Sequence, residues 1–286
     1  LHAEVDTREE ARVTQEHCIS PEALAARALG VDERALLASE RIKHGLTNDS
    51  WRVRTRDAVV IVRMGRVPEA VLQIDRASEA RVLQAVAAAG IGAEVLLCDP
   101  ARQWLVTRDL GEPWREAQAH EPQNIRRLAE VLRRLHALPV PAGVRRVDLL
   151  ETLRGYLRTL EDRGQSPDAA ERERGEQAAV LLQENAMVCL CHNDVHHLNV
   201  VDDGTLRLID WEYSGVGTPW FDLASLCVYH GFTSAERELL LESYFSQRPM
   251  NALARLELAC WLFDYIRRLW MVVRADAEAV GIPDKA

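Results

Sequence analysis

Cys191-His192-Asn193-Asp194-Val195-His196-His197-Leu198-Asn199 and, after a short gap, Leu208-Ile209-Asp210-Trp211-Glu212-Tyr213 are the two segments whose reading decides the fold. Between them, residues 198–201 and 206–209 are short apolar runs around Asp202-Asp203-Gly204, a turn sequence, so the stretch reads as a β-hairpin. A hairpin here brings Asn199 and Asp210 back toward each other at one edge. Magnesium takes few protein ligands and prefers hard oxygens, which an amide and a carboxylate supply. Asp194, on the loop before the hairpin, adds a carboxylate that can orient an attacking hydroxyl. Together the three meet what phosphoryl transfer to an alcohol requires.

Outward from the hairpin, residues 125–138, 148–160, 169–184, 234–244 and 252–275 carry apolar side chains at helical spacing, and Pro219 opens a further helix. Before Leu110-Gly111-Glu112-Pro113 the pattern changes. Residues 41–43, 51–54, 58–62, 94–98 and 103–107 are short, β-branched and bounded by turn residues, which predicts strands. One helix is embedded among them over 71–89, ended by Gly90, and a short one starts at Ser20-Pro21 and stops at Gly30. The expected organisation is a polar arm and short helix over 1–38, a β-rich lobe over 39–108, a linker over 109–114 and a helical lobe over 115–286. That is a two-lobed α+β fold, with small ligands expected between the lobes.

A second signal is His44-Gly45-Leu46-Thr47-Asn48-Asp49-Ser50-Trp51, between the first two strands. A turn with one glycine, hydroxyls and short polar side chains can aim backbone N–H groups at phosphate oxygens. An ordinary hairpin turn has the same composition.

The spacing His192, Asp194, Asn199 followed by Ile209-Asp210-Trp211-Glu212-Tyr213 resembles the aminoglycoside phosphotransferase and choline kinase superfamily, whose fold is that of the protein kinases. The resemblance implies that His192 and Asp194 are catalytic, Asp194 as base, and that Asn199 and Asp210 hold Mg²⁺. It implies ATP as the phosphoryl donor, with Thr47, Asn48 and Ser50 over its phosphates and the adenine against the linker. Arg63, on the third strand, then meets the phosphates and pairs with an acid on the next helix, for which Glu79 is the candidate. Most kinases have lysine at that place. Arginine is common there in the choline kinase branch, so the chain stands nearest the choline, ethanolamine and bacterial thiamine kinases. Asp222 is implied to hydrogen-bond the catalytic loop from behind.

The acceptor implied is a small cationic alcohol. Trp211 and Tyr213 crowd the metal aspartate, and Trp261 and Tyr265 recur on one face of a late helix, an arrangement that can hold a quaternary ammonium by cation–π attraction, with Glu212 as countercharge. Plain packing of a buried helix is the other account of these rings. An aminoglycoside or amino sugar is the rival acceptor, and a nucleotide-binding protein without turnover is the rival of another class. Cys189, Cys191, His192, His196 and His197 offer zinc-type ligands, but no second cysteine pair stands at structural-zinc spacing.

Composition sets outer bounds. The 286 residues are 48% hydrophobic and 28% charged, enough apolar content for a packed core. A net charge of −9 argues against nucleic acid as the main partner. No apolar run reaches the roughly 18 residues of a membrane span. The six cysteines show no disulfide framework, and no signal-peptide pattern opens the chain, so a reducing cytoplasm is expected.

Overall fold

Ser20 and Pro21 begin the first helix for the reason their chemistry suggests. The Ser20 hydroxyl accepts from the Ala23 amide at 3.0 Å, and Pro21 occupies a position that has no amide to lose. Helix α1 runs Pro21–Leu29, and Gly30 ends it at φ +67°, a left-handed turn that costs glycine little. The computed structural model describes residues 19–42, 47–65, 72–184 and 186–281, with side chains to residue 275. Most of the N-terminal arm, and the Gly45-Leu46 portion of the proposed phosphate turn, lie outside the described residues.

The described residues form two compact units, one drawn from within 1–66 and 95–109, the other from within 67–94 and 110–286. The first contains a five-stranded antiparallel sheet, β1 Leu36–Ile42, β2 Asn48–Thr55, β3 Val59–Gly65, β4 Val95–Asp99 and β5 Trp104–Arg108, in the order β1-β2-β3-β5-β4. Alternation along the strands sends Val53, Val60, Val62 and Val106 to one face, where they pack with Leu24 and Ala25 of α1. Each fully buried aliphatic side chain contributes about 1.5–3 kcal/mol, which is what binds helix to sheet. In the β2–β3 register Ser50 pairs with Arg63 and Asn48 with Gly65, so Asn48, Ser50 and Arg63 share the opposite face.

The second unit is mainly helical: α2 Arg76–Ala88, α3 Glu116–Ala119, α4 Pro122–His136, α5 Leu149–Asp162, α6 Ala169–Gln183, α7 Pro219–Tyr229, α8 Ser234–Tyr244 and α9 Ala252–Gly281. Helix α2 begins later than the expected 71, at an Asp75 cap whose side chain accepts from Ser78. It belongs by its contacts to this unit, although the sequence placed it with the strands. Two small antiparallel pairs interrupt the helices, β6 Cys189–Cys191 with β9 Gly215–Gly217, and β7 Val200–Asp202 with β8 Leu206–Leu208. The hairpin turn requires Gly204, which takes φ +100°. The strand at 215–217 gave no sequence signal, since two of its three residues are glycine. Among the described residues no helix is long and apolar enough to cross a membrane.

Candidate active site

Helix α7 builds the loop that carries Asp194. At its first turn the buried Asp222 accepts from the backbone amides of His192 at 2.9 Å and Asn193 at 2.5 Å, and from His136 Nε2 of α4 at 2.9 Å. Buried charges need donors, and here three converge. One turn on, the Ser225 hydroxyl accepts from the Val195 amide at 3.1 Å. Two turns on, the Tyr229 hydroxyl donates to Asp194 Oδ1 at 2.7 Å. Asn193 makes the bend possible at φ +68°, a conformation asparagine tolerates, and its side chain donates to the Tyr213 carbonyl at 3.0 Å.

The Asp194 side chain is 20% exposed, open on one side. Asn199 Nδ2 donates to Asp194 Oδ2 at 3.2 Å and to its carbonyl at 2.9 Å, and His196 Nε2 lies 3.6 Å from the carboxylate. Burial works against the charge, but the contacts with His196 and Tyr229 outweigh it and hold the carboxyl below its ordinary value. The group is therefore an ionised acceptor at neutral pH.

Across the hairpin, the Ile209 amide donates to the Asn199 carbonyl at 3.0 Å, which sets Asp210 beside Asn199. Asp210 takes φ +63°, an uncommon conformation for a residue with a side chain. Asn199 gives its nitrogen to Asp194, which would leave its amide oxygen to meet a cation. With the Asp210 carboxylate this is a hard-oxygen set that fits Mg²⁺.

Other sequence candidates fall differently. His192, expected to be catalytic, is fully buried; Nε2 donates to the Ile209 carbonyl at 2.9 Å and Nδ1 accepts from the Asp194 amide at 3.3 Å. Both nitrogens are committed to backbone, so the ring positions the loop. Burial also holds it neutral by lowering its pKa. Trp211 is a core residue, its indole donating to the Leu208 carbonyl at 3.1 Å and its ring 4.5 Å from His192. Glu212, expected to face a cationic substrate, is 3% exposed and lies 3.1 Å from Arg76, which also holds Glu79 at 2.9 Å. Glu79 and Glu212 thus meet around a buried guanidinium.

Trp261 and Tyr265 stack on each other, but Arg174 of α6 already covers Trp261 at 4.0 Å and Arg268 covers Tyr265 at 5.3 Å. The chain's own arginines occupy that would-be cage. The rings beside Asp194 are instead Tyr229, with His196 at 4.7 Å and Phe263 at 5.5 Å between centroids. Tyr213 accepts from the indole of Trp270 at 2.8 Å. In the first unit, Asn48 donates to Thr47 at 3.0 Å, both buried, with Ser50 and Arg63 as cross-strand neighbours.

Tyr229 and Ser225 escaped the sequence reading. Asp222, Ser225 and Tyr229 stand at i, i+3 and i+7 of an otherwise apolar helix, a polar stripe that could have disclosed them.

Residues 39–258 match the model of the APH phosphotransferase enzyme family. The chain belongs to this family. This phosphotransferase-family chain is 27% identical to ethanolamine kinase 2 of Rattus norvegicus over 202 residues, 65% of the chain and 52% of that protein, so it spans about half the length of that relative. Its fold is similar to the crystal structure of the choline kinase LicA from Streptococcus pneumoniae, with a TM-score of 0.72 at 24% identity over 84% of this chain and 86% of that one. It is also similar to the macrolide 2'-phosphotransferase MphH from Brachybacterium faecium, with a TM-score of 0.63 at 20% identity over 92% and 98% of the two chains. These likenesses agree with the two-lobed, kinase-like α+β fold expected from the sequence.

Proposed function

We propose that this protein is a small-molecule kinase that transfers the γ-phosphate of ATP to the hydroxyl of choline, ethanolamine or a similar cationic alcohol such as thiamine. The observation that carries the reading is the Asp194 carboxylate, ionised, partly open and held at both oxygens by Tyr229 and Asn199 next to Asp210. The acceptor hydroxyl donates a hydrogen bond to Asp194, which directs an oxygen lone pair at phosphorus and takes the proton late, as suits a loose transition state. Asn199 and Asp210 would hold Mg²⁺, which when bound offsets phosphate charge. Thr47, Asn48, Ser50 and Arg63 receive the phosphates, and backbone groups of the 109–114 linker receive the adenine.

Support for the acceptor class comes from the resemblance to a choline kinase and an ethanolamine kinase. The fold likeness to a macrolide phosphotransferase keeps amino sugars and aminoglycosides in the comparison. The test is ADP release with magnesium across choline, ethanolamine, thiamine, amino sugars and aminoglycosides, for the native chain and for Asp194→Asn. An amino alcohol is expected to be the preferred acceptor, and Asp194→Asn to lower kcat by roughly 10²–10⁴-fold with ATP still bound. Unaltered turnover in Asp194→Asn would remove the base; ATP binding with no acceptor turned over would favour the silent protein of the same fold.

A further inference from the structure

The sequence offered a zinc-type set in which Cys189 and Cys191 joined His192, His196 and His197. The structure separates those cysteines from that histidine set and brings them to a different residue. Cys189 and Cys191 stand at i and i+2 of β6, hence on one face, with their sulfurs 3.6 Å apart. A ring nitrogen of His136, from the end of α4, lies with both sulfurs inside a group whose ligand atoms are all within 4.8 Å of one another, every member buried. We propose that His136, Cys189 and Cys191 form a binding site for a thiophilic divalent cation of the zinc class, separate from the oxygen site at Asn199 and Asp210.

The geometry suits such an ion. Two thiolates each about 2.3 Å from a tetrahedral zinc stand roughly 3.8 Å apart, close to the spacing already present. One ring nitrogen of His136 is backed by a carboxylate, as is usual for metal-binding imidazoles. Its Nε2 donates to Asp222 at 2.9 Å, so Nδ1 carries the lone pair, at present accepting from the Tyr244 hydroxyl at 2.7 Å. An ion on Nδ1 takes the place of that hydroxyl, so binding displaces the Tyr244 contact. Charge favours a dication. Both thiols lose their protons to solvent on binding, and a dication with two thiolates is neutral, which a buried site tolerates. Burial pushes the Cys191 thiol up. Magnesium is excluded by ligand type, since it takes oxygen.

The location matters because Asp222 also holds the amides of His192 and Asn193. An ion on His136 therefore sits one hydrogen bond behind the loop that carries Asp194.

The experiment uses the full chain, reduced and stripped of metal, titrated with Co²⁺. Binding of one equivalent is expected, with a thiolate-to-cobalt charge-transfer band in the near ultraviolet and tetrahedral bands in the visible, displaced by Zn²⁺ and indifferent to Mg²⁺. Cys189→Ser and Cys191→Ser should each abolish the charge-transfer band, while Cys227→Ser, a buried cysteine on α7, keeps it. No band in the native protein, or a band that survives in both serine variants, overturns the site. Pulsed alkylation of the native chain, read by peptide mass, needs no variant. Zinc at about a hundredfold above its Kd should slow modification of Cys189 and Cys191 by about a hundredfold and leave Cys98 unchanged. Equal rates with and without zinc reject the proposal.

Discussion

Tyr229 shows how much a single hydroxyl can do at this site. Its hydrogen bond to Asp194 Oδ1 is one of the contacts that overcome burial and keep the carboxylate ionised. A hydrogen bond to a charged group is worth about 1.5–3 kcal/mol, so Tyr229→Phe should lower kcat by about 10- to 100-fold. The same loss should raise the pKa of the acid limb of the kcat profile, because the ionised form loses a donor, and should leave the KM for ATP unchanged. An acid limb that does not move would show that the hydroxyl has no part in holding the charge. That Asp194, Asn199 and Asp210 come together was legible in the sequence, because their spacing is local. Trp211, Glu212, Trp261 and Tyr265 were not, since residue type says nothing about whether a ring or a carboxylate meets solvent or a neighbouring arginine.

At the scale of elements, α7 is the support of the site. Its apolar residues bury the helix, and its polar stripe of Asp222, Ser225 and Tyr229 ties down successive residues of the loop. Asp222→Asn keeps the shape but exchanges one acceptor oxygen for a donor, so at least one of the His192 amide, the Asn193 amide and His136 Nε2 loses its partner. A buried unsatisfied group costs about 1–3 kcal/mol. The variant should show that loss in urea unfolding together with a lowered kcat, the loop no longer being held in one conformation. Stability and kcat both equal to those of the native chain would contradict the clamp. The helix boundaries were largely readable from caps and periodicity, as at Ser20-Pro21 and Gly30 of α1. The strand at Gly215–Gly217 was not, because its pairing with Cys189–Cys191 is set by a partner some 25 residues away in sequence.

For the molecule as a whole, acid should be more damaging than the carboxylates alone would make it. His230 is buried; Nδ1 donates to the Leu226 carbonyl at 2.9 Å and Nε2 accepts from the His197 amide at 3.2 Å. A proton on Nε2 would face that amide hydrogen, and burial above all lowers the pKa from 6.5 to about 4. The unfolded chain therefore takes up this proton first. The stabilisation is fully present above about pH 6.5 and is lost as pH falls toward 4, up to about 3 kcal/mol in total. His230→Gln, which retains an acceptor without the titration, should flatten the fall in Tm between those two pH values. A fall as steep as in the native chain would assign it to other groups.

The residue types and short spacings along the chain were enough to specify the strands before residue 110, the helices after it, and the hairpin that joins Asn199 to Asp210, because caps, turns and periodicity act over a few residues. Tertiary packing alone determined which groups face one another across long stretches of chain. Arg76 meets Glu212, His136 meets Asp222 and the two cysteines of β6, and Arg174 covers Trp261. Burial and partner choice arise from the way helices and sheets stack in space, and no local pattern of side chains encodes them.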